Sequence, residues 1–136
     1  MGTWSTLPFG NDDAADWAYA LDDTDDLQAI EQALAAVLSV GSDYLESPEA
    51  TEAIAAIELL ACVAGRPGDT ETYTEAADAW LQRVKAKPTP ELLSRAQHVL
   101  DRILGDDSEL KALWQESDEY DQWLASMADL RTRLAS

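Results

Sequence analysis

The chain has 136 residues, of which 27 are Asp or Glu and nine are Lys or Arg, so its formal net charge is −18. This excess of negative charge argues against nucleic acid or an anionic membrane as a ligand, because both attract clustered Lys and Arg. The single cysteine, Cys62, excludes an internal disulfide, and no apolar run reaches the ~18 residues of a transmembrane helix, so we expect one soluble cytoplasmic domain.

Helical periodicity begins after residue 10. Asn11 is expected to cap a first helix over about 12–22, and Thr24 to cap a second helix that ends at Gly41. Both segments repeat apolar residues every three or four positions, which is typical of an amphipathic helix packed on one side against a core.

Two later helices begin with the same signal, a capping hydroxyl followed by proline and glutamate. It occurs at Ser47-Pro48-Glu49 and again at Thr89-Pro90-Glu91. The first of these helices is apolar nearly all round and is predicted to be the most buried. Between them a helix is predicted over about 71–86, and the second of the pair is predicted to end at Gly105.

The last region is predicted to start at a cap on Ser108 and to form either one long bent helix or two, the second starting near Ser117. No segment alternates apolar and polar residues as a strand would. The sequence therefore predicts an all-α fold, a compact single-domain array of six or seven short helices over 1–136. Residues 1–10 are predicted to form an irregular N-terminal segment packed on it.

In the N-terminal segment, Trp4 and Phe9 precede the pair Asn11-Asp12, and Trp17 follows. This pattern resembles the opening of a family of small bacterial proteins known as domain of unknown function 4259. Members begin with Trp-Gly-x-Gly-x-Phe, followed by an Asn-Asp pair, Ala, Asp and Trp; here Ser5 and Leu7 replace the two glycines. The resemblance implies no activity, cofactor or catalytic residue. The matching residues are Trp4, Pro8, Phe9, Asn11, Asp12, Asp13, Ala14, Asp16 and Trp17.

The aromatic residues of this segment have two possible roles. Trp4, Phe9 and Trp17 could form an exposed recognition patch, but aromatics just before a helix more often fold back and pack on it. We therefore interpret these three, together with Asn11, as structural residues.

Glu58 is the one charged residue in the apolar centre of the third helix. A buried carboxylate requires a partner, and every Lys and Arg lies after residue 65. We expect an ion pair or hydrogen bond from Glu58 to a later helix, with a functional carboxylate as the alternative. The basic residues considered as its partner are Arg66, Arg83, Arg95 and Arg102.

Candidate chemistry is sparse. His98, the only histidine, has no recognisable nucleophile or acid beside it in the sequence, and Cys62 fits a buried apolar filler. The Asp and Glu clusters could bind a divalent cation, but the EF-hand pattern fails and most clusters lie at helix starts, where the helix dipole favours acids. We assign no catalytic residue, cofactor or metal.

The charge distribution suggests a function. Residues 1–65 contain thirteen acids and no base, whereas 66–136 contain fourteen acids and nine bases. The leading hypothesis is a non-enzymatic interaction module, such as an inhibitor or immunity protein, that binds a basic protein. The alternatives are an acidic protein whose charge serves solubility only, and a carboxylate-based metal-dependent hydrolase. The residues expected to bind the partner are Asp12, Asp16, Asp22, Asp23, Asp25, Asp26 and Glu31.

Overall fold

A computed structural model describes residues 12–23, 26–41, 43–66, 68 and 73–135 of the chain. Seven α-helices follow one another in this part, which confirms the all-α prediction. They are α1 (Asp12–Ala18), α2 (Gln28–Leu38), α3 (Ser47–Val63), α4 (Glu75–Arg83), α5 (Pro90–Leu104), α6 (Glu109–Gln115) and α7 (Tyr120–Ala135).

The first helix is shorter than predicted and continues as a 3₁₀ turn over Tyr19–Asp23. Ala14, Ala18 and Leu21 are fully buried, and Trp17 is half-buried against the same core. The expected packing of Trp4 and Phe9, and the expected cap at Asn11, concern residues outside the part described.

The second helix begins at Gln28, later than the sequence suggested. The Asp26 side chain accepts a hydrogen bond from the Gln28 backbone N–H at 3.0 Å, and the predicted cap, Thr24, lies outside the described residues. After Leu38 the chain turns, and Gly41 has a φ of +62°, the left-handed region that glycine adopts without a steric penalty.

Helix α3 is deeply buried, as predicted, and lies at the centre of the described helices. Twelve of its 17 residues are buried, and it contacts each of the helices α1, α2, α4, α5, α6 and α7. Because the helix is covered on most sides, an apolar stripe on one face alone would leave polar side chains in the core.

Two of the predicted N-terminal caps are present, and one is wrong. Thr89 and Ser108 accept hydrogen bonds from the backbone N–H groups of Leu92 and Lys111, at 3.1 and 3.5 Å. Ser47, predicted to cap α3, instead lies inside the helix, and its backbone N–H is bound at 2.7 Å by the Glu109 carboxylate of α6. At the start of α3, the hydrogen-bond acceptor is therefore the Glu109 carboxylate of α6 and not the hydroxyl of Ser47.

Two other boundaries differ from the sequence prediction. Helix α4 spans Glu75–Arg83 rather than 71–86, because Thr74 supplies its cap by accepting from the Ala77 N–H at 3.2 Å. The region after Ser108 contains two helices, α6 and α7, whose Trp114 and Trp123 rings stack with centroids 6.1 Å apart. In the part of the chain that the structure describes, no helix has the length and apolar character needed to cross a membrane.

Candidate functional site

The predicted partner-binding residues lie on the first two helices and the turn between them. Asp16, Asp22, Asp26 and Glu31 have exposed side chains. Asp12 and Asp23 belong to described helices, but their side chains, like the whole of Asp25, lie outside what the structure describes. Four of the seven residues can therefore be placed, and all four face solvent.

Arginines hold carboxylates in three ion pairs of the described part of the chain. Arg131 pairs with Asp101, and Arg133 pairs with Glu58 of the first half and with Asp129. Other arginines reach the first half by binding backbone carbonyl oxygens: Arg83 donates to Leu21, and Arg102 donates to Gly41 and Asp43.

A groove of about 410 Å³ lies between the end of α1 and the start of α4. Its two charged lining residues are both acidic, Asp22 from the 3₁₀ turn and Glu75 from α4. Tyr19 stands in the groove with 66% of its surface exposed, the largest exposure among the exposed large apolar side chains of the described residues. We call this the acidic groove; it is lined by Ala15, Tyr19, Asp22, Thr74, Glu75, Ala76 and Ala79.

A second set of carboxylates crowds the contact between α1 and α3. Partial burial, and the nearby charges of Glu49 and Asp13, raise the pKa of the Glu52 carboxyl above its usual value. The Glu49 Oε2 atom is buried without a hydrogen-bond partner. No cation lies within 4 Å of these three carboxylates in the described part of the chain, so they repel one another.

Glu58 is 1% exposed and is bound by the guanidinium of Arg133 on α7. Arg133 Nη1 donates to Oε2 and Nη2 to Oε1, both at 2.6 Å, which is the two-bond geometry that a planar guanidinium forms with a carboxylate. The expected tie to a later helix is present, but the partner is Arg133 rather than any of the four arginines considered from the sequence.

Further donors converge on the Glu58 carboxylate. The Tyr73 hydroxyl donates to Oε2, and the Gly68 backbone N–H reaches the same oxygen at 3.2 Å. A Cβ at Gly68 would lie 2.9 Å from both Oε2 of Glu58 and Nη1 of Arg133, so the close approach of this backbone requires glycine. These contacts fasten the chain after α3 to the buried ion pair.

Cys62 borders this network. Its Sγ lies 3.1 Å from the Tyr73 oxygen, and because the Tyr73 proton is given to Glu58, the thiol is the donor in this contact. Burial is the largest cause that raises the pKa of the Cys62 thiol. Burial and the hydrogen bond to the Glu58 carboxylate raise the pKa of Tyr73, and the hydrogen bonds to Glu58 raise the pKa of Arg133. The raised pKa values keep the Cys62 thiol, the Tyr73 hydroxyl and the Arg133 guanidinium protonated at neutral pH.

The other candidates from the sequence are not brought together. His98 is exposed on α5. Within the described residues, no group of three or more His, Cys, Asp or Glu side chains is arranged to hold a metal ion.

Sequence reasoning missed Arg133, Tyr73 and Glu75. Arg133 belongs to an amphipathic helix, where the sequence pattern of a half-buried arginine is the same as that of a surface arginine. Glu75 lines the acidic groove because α4 packs beside the 3₁₀ turn. The one available signal was Glu58 itself, which required a cation from the second half.

A family model described as "Domain of unknown function (DUF4259)" matches residues 2–126, nearly the whole chain. This agrees with the resemblance seen in the N-terminal segment. No curated protein and no solved structure matches the chain. The family description names no activity, so a function has to be argued from the geometry of the described residues.

Proposed function

We propose that this chain, which belongs to the DUF4259 family of unknown function, binds a basic protein through the acidic groove and the carboxylates around it. The observation that carries the proposal is the acidic groove, whose described charged lining residues, Asp22 and Glu75, are both carboxylates. The sequence of residues 1–65 adds to this charge, because it contains thirteen acids and no Lys or Arg.

Such a surface attracts a basic protein. At physiological salt, the attraction between charges is screened beyond a Debye length of about 8 Å. It therefore acts mainly on the approach and docking of the partner. The same field repels nucleic acid and anionic membranes, which carry phosphate.

Tyr19 supports a specific contact within this field. Tyrosine is enriched among the residues that dominate interface energies, because it buries a large rigid surface at a small entropic cost. A partner arginine or lysine that enters the groove would lie over the Tyr19 ring and beside the carboxylates of Asp22 and Glu75. Cation–π attraction contributes about 0.5–1 kcal/mol at exposed sites and more once water is excluded.

The test uses the purified chain as bait in an extract of its native host at low salt. The expected result is capture of a basic protein that also binds when both components are pure, with an association rate that falls steeply as salt rises. The double variant Asp22→Lys/Glu75→Lys should slow association about tenfold or more, and Tyr19→Ala should mainly speed dissociation.

The matched control is Asp118→Lys/Asp121→Lys, which makes the same charge change at two exposed residues outside the groove. It should affect binding much less. If no basic protein is recovered, or if the control slows association as much as the groove variant, the interaction proposal fails. The charge would then serve solubility alone.

A further inference from the structure

A second groove lies at the other end of α4, and its lining has the opposite charge. It has a volume of about 420 Å³ and is bounded by the end of α3, the end of α4 and the chain that follows α4. We call it the lysine groove; it is lined by Cys62, Val63, Leu81, Val84, Lys85, Ala86 and Lys87.

The floor of the lysine groove is apolar. Val63, Leu81, Val84 and Ala86 are half-buried and pack against the hydrophobic core, so each still presents part of its side chain to the groove. Cys62 adds to this floor as a protonated thiol, because burial raises its pKa. A volume of this size and an apolar floor are typical of sites that bind a ligand or a short peptide segment.

The charged residues of the groove are both cations. Lys85 and Lys87 are exposed, and no carboxylate lies within 4 Å of either in the described part of the chain, although acids outnumber bases three to one. Among the described residues that line the groove, none is acidic. The local charge is therefore opposite to that of the molecule as a whole, and it complements an acidic ligand.

The backbone beside the groove is available for pairing. Residues 84–89 belong to no helix or strand, and the residues at the two ends of this stretch, Val84 and Thr89, have extended backbone angles. No backbone hydrogen bond is made by Lys85, Ala86 or Lys87 among the residues described. Exposed lysines alternate with half-buried residues along the stretch, as side chains do on the two faces of a strand.

We propose that the lysine groove binds an extended peptide segment of a partner protein in which acidic and apolar side chains alternate. Its carboxylates would pair with Lys85 and Lys87, and its apolar side chains would cover Leu81 and Ala86. Its backbone would bond to residues 85–87, as in the addition of a strand to an exposed edge. This inference does not rest on the basic partner proposed for the acidic groove, since the two grooves have different linings.

The test measures fluorescence anisotropy of a labelled eight-residue peptide of alternating aspartate and leucine, titrated with the full chain at low and at physiological salt. The expected result is saturable binding that weakens as salt rises. The double variant Lys85→Glu/Lys87→Glu should bind at least tenfold more weakly. A lysine–leucine peptide of the same length should not bind at this groove.

The matched control is Arg95→Glu/Lys111→Glu, which reverses two cations outside the groove and should leave the affinity within about twofold. Thermal unfolding of each variant, followed by circular dichroism, shows whether it remains folded. A third probe is the aspartate–leucine peptide N-methylated at alternate residues, which should bind more weakly because the backbone pairing is blocked. Equal binding of the aspartate–leucine peptide by the two double variants would overturn the proposal, and so would a loss of lysine–leucine binding in Lys85→Glu/Lys87→Glu, because any binding of that basic peptide should lie at the acidic groove.

Discussion

Glu58 and Arg133 lie 75 positions apart in the chain, yet two hydrogen bonds of 2.6 Å join their side chains and hold α3 to α7. The carboxylate is 1% exposed and the guanidinium side chain 14% exposed, so water competes little with the pair. Tyr73 and Gly68 occupy the remaining acceptor capacity of Oε2. Burial of two charges is expensive, and the extra donors offset part of this cost.

We expect loss of one partner of this pair to destabilise the fold strongly. Glu58→Ala or Arg133→Ala should lower the free energy of unfolding by about 3–5 kcal/mol, because the other charge would remain buried without a counter-ion. The measurement is urea unfolding at pH 7.

The control is Asp101→Ala, which breaks the exposed Arg131–Asp101 pair, where 37% and 62% of the side chains are accessible. Exposed pairs contribute only about 0–1 kcal/mol. A Glu58→Ala variant as stable as Asp101→Ala would contradict the structural role of the pair. The double variant Glu58→Ala/Arg133→Ala should cost less than the sum of the two single changes, which a double-mutant cycle measures.

The start of α3 depends on a side chain from another helix. Glu109 of α6 accepts the Ser47 N–H at 2.7 Å, and two backbone hydrogen bonds of Leu45, with Asp107 and Glu109, lie beside this contact. We expect Glu109→Ala to destabilise the protein by about 1–2 kcal/mol, because an N-terminal N–H of the most buried helix loses its acceptor.

Glu91→Ala is the matched control for this change, since Glu91 occupies the first turn of α5 as Glu109 occupies that of α6. It removes only the favourable interaction with the helix dipole, about 0.3–1 kcal/mol. Glu109→Gln keeps an acceptor oxygen and should fall between the two. Equal losses for Glu109→Ala and Glu91→Ala in urea unfolding would show that the contact with Ser47 does not stabilise α3.

The carboxylates at the contact between α1 and α3 predict a pH dependence. The folded-state pKa of Glu52 is raised by burial and by the charges of Glu49 and Asp13, so between its ordinary and its raised pKa the folded chain binds more protons than the unfolded one. Relative to high pH, the stability that comes from the protonated Glu52 carboxyl is fully present below its ordinary pKa, about 4.3. This stability is lost as the pH rises through the folded-state pKa, where the carboxyl becomes charged.

Glu52→Gln should therefore raise the melting temperature at pH 7 by a few degrees at most. The gain should disappear below about pH 4, where the carboxyl is neutral in both states. Glu46→Gln is the control: Glu46 is exposed at the N-terminus of α3, where the helix dipole favours a negative charge, so this change should give no gain. Melting curves from about pH 3 to pH 8 decide between these outcomes, and a pH-independent difference would refute the repulsion.

Local features of the chain were readable from the sequence. Thr89 followed by proline marks the start of α5, and the apolar residues around Ile57 predict that α3 is buried, because caps and side-chain periodicity act within a few residues. The family resemblance and the excess of acids in the first half were also evident from the sequence. The hydrogen-bond acceptor at the start of α3 could not be predicted from the sequence, since it is Glu109, 62 positions away.

The sequence by itself predicted that Glu58 is tied to a later helix by an ion pair or a hydrogen bond, because a buried carboxylate without a partner is costly. Only the tertiary structure decided that this partner is Arg133, since nine bases were available and the packing of α7 on α3 selects among them. The acidic groove and the lysine groove are likewise formed by tertiary packing. Asp22 and Glu75 line one groove, and Val63 and Lys85 line the other, because segments that are separate in the chain pack side by side, which no local pattern encodes.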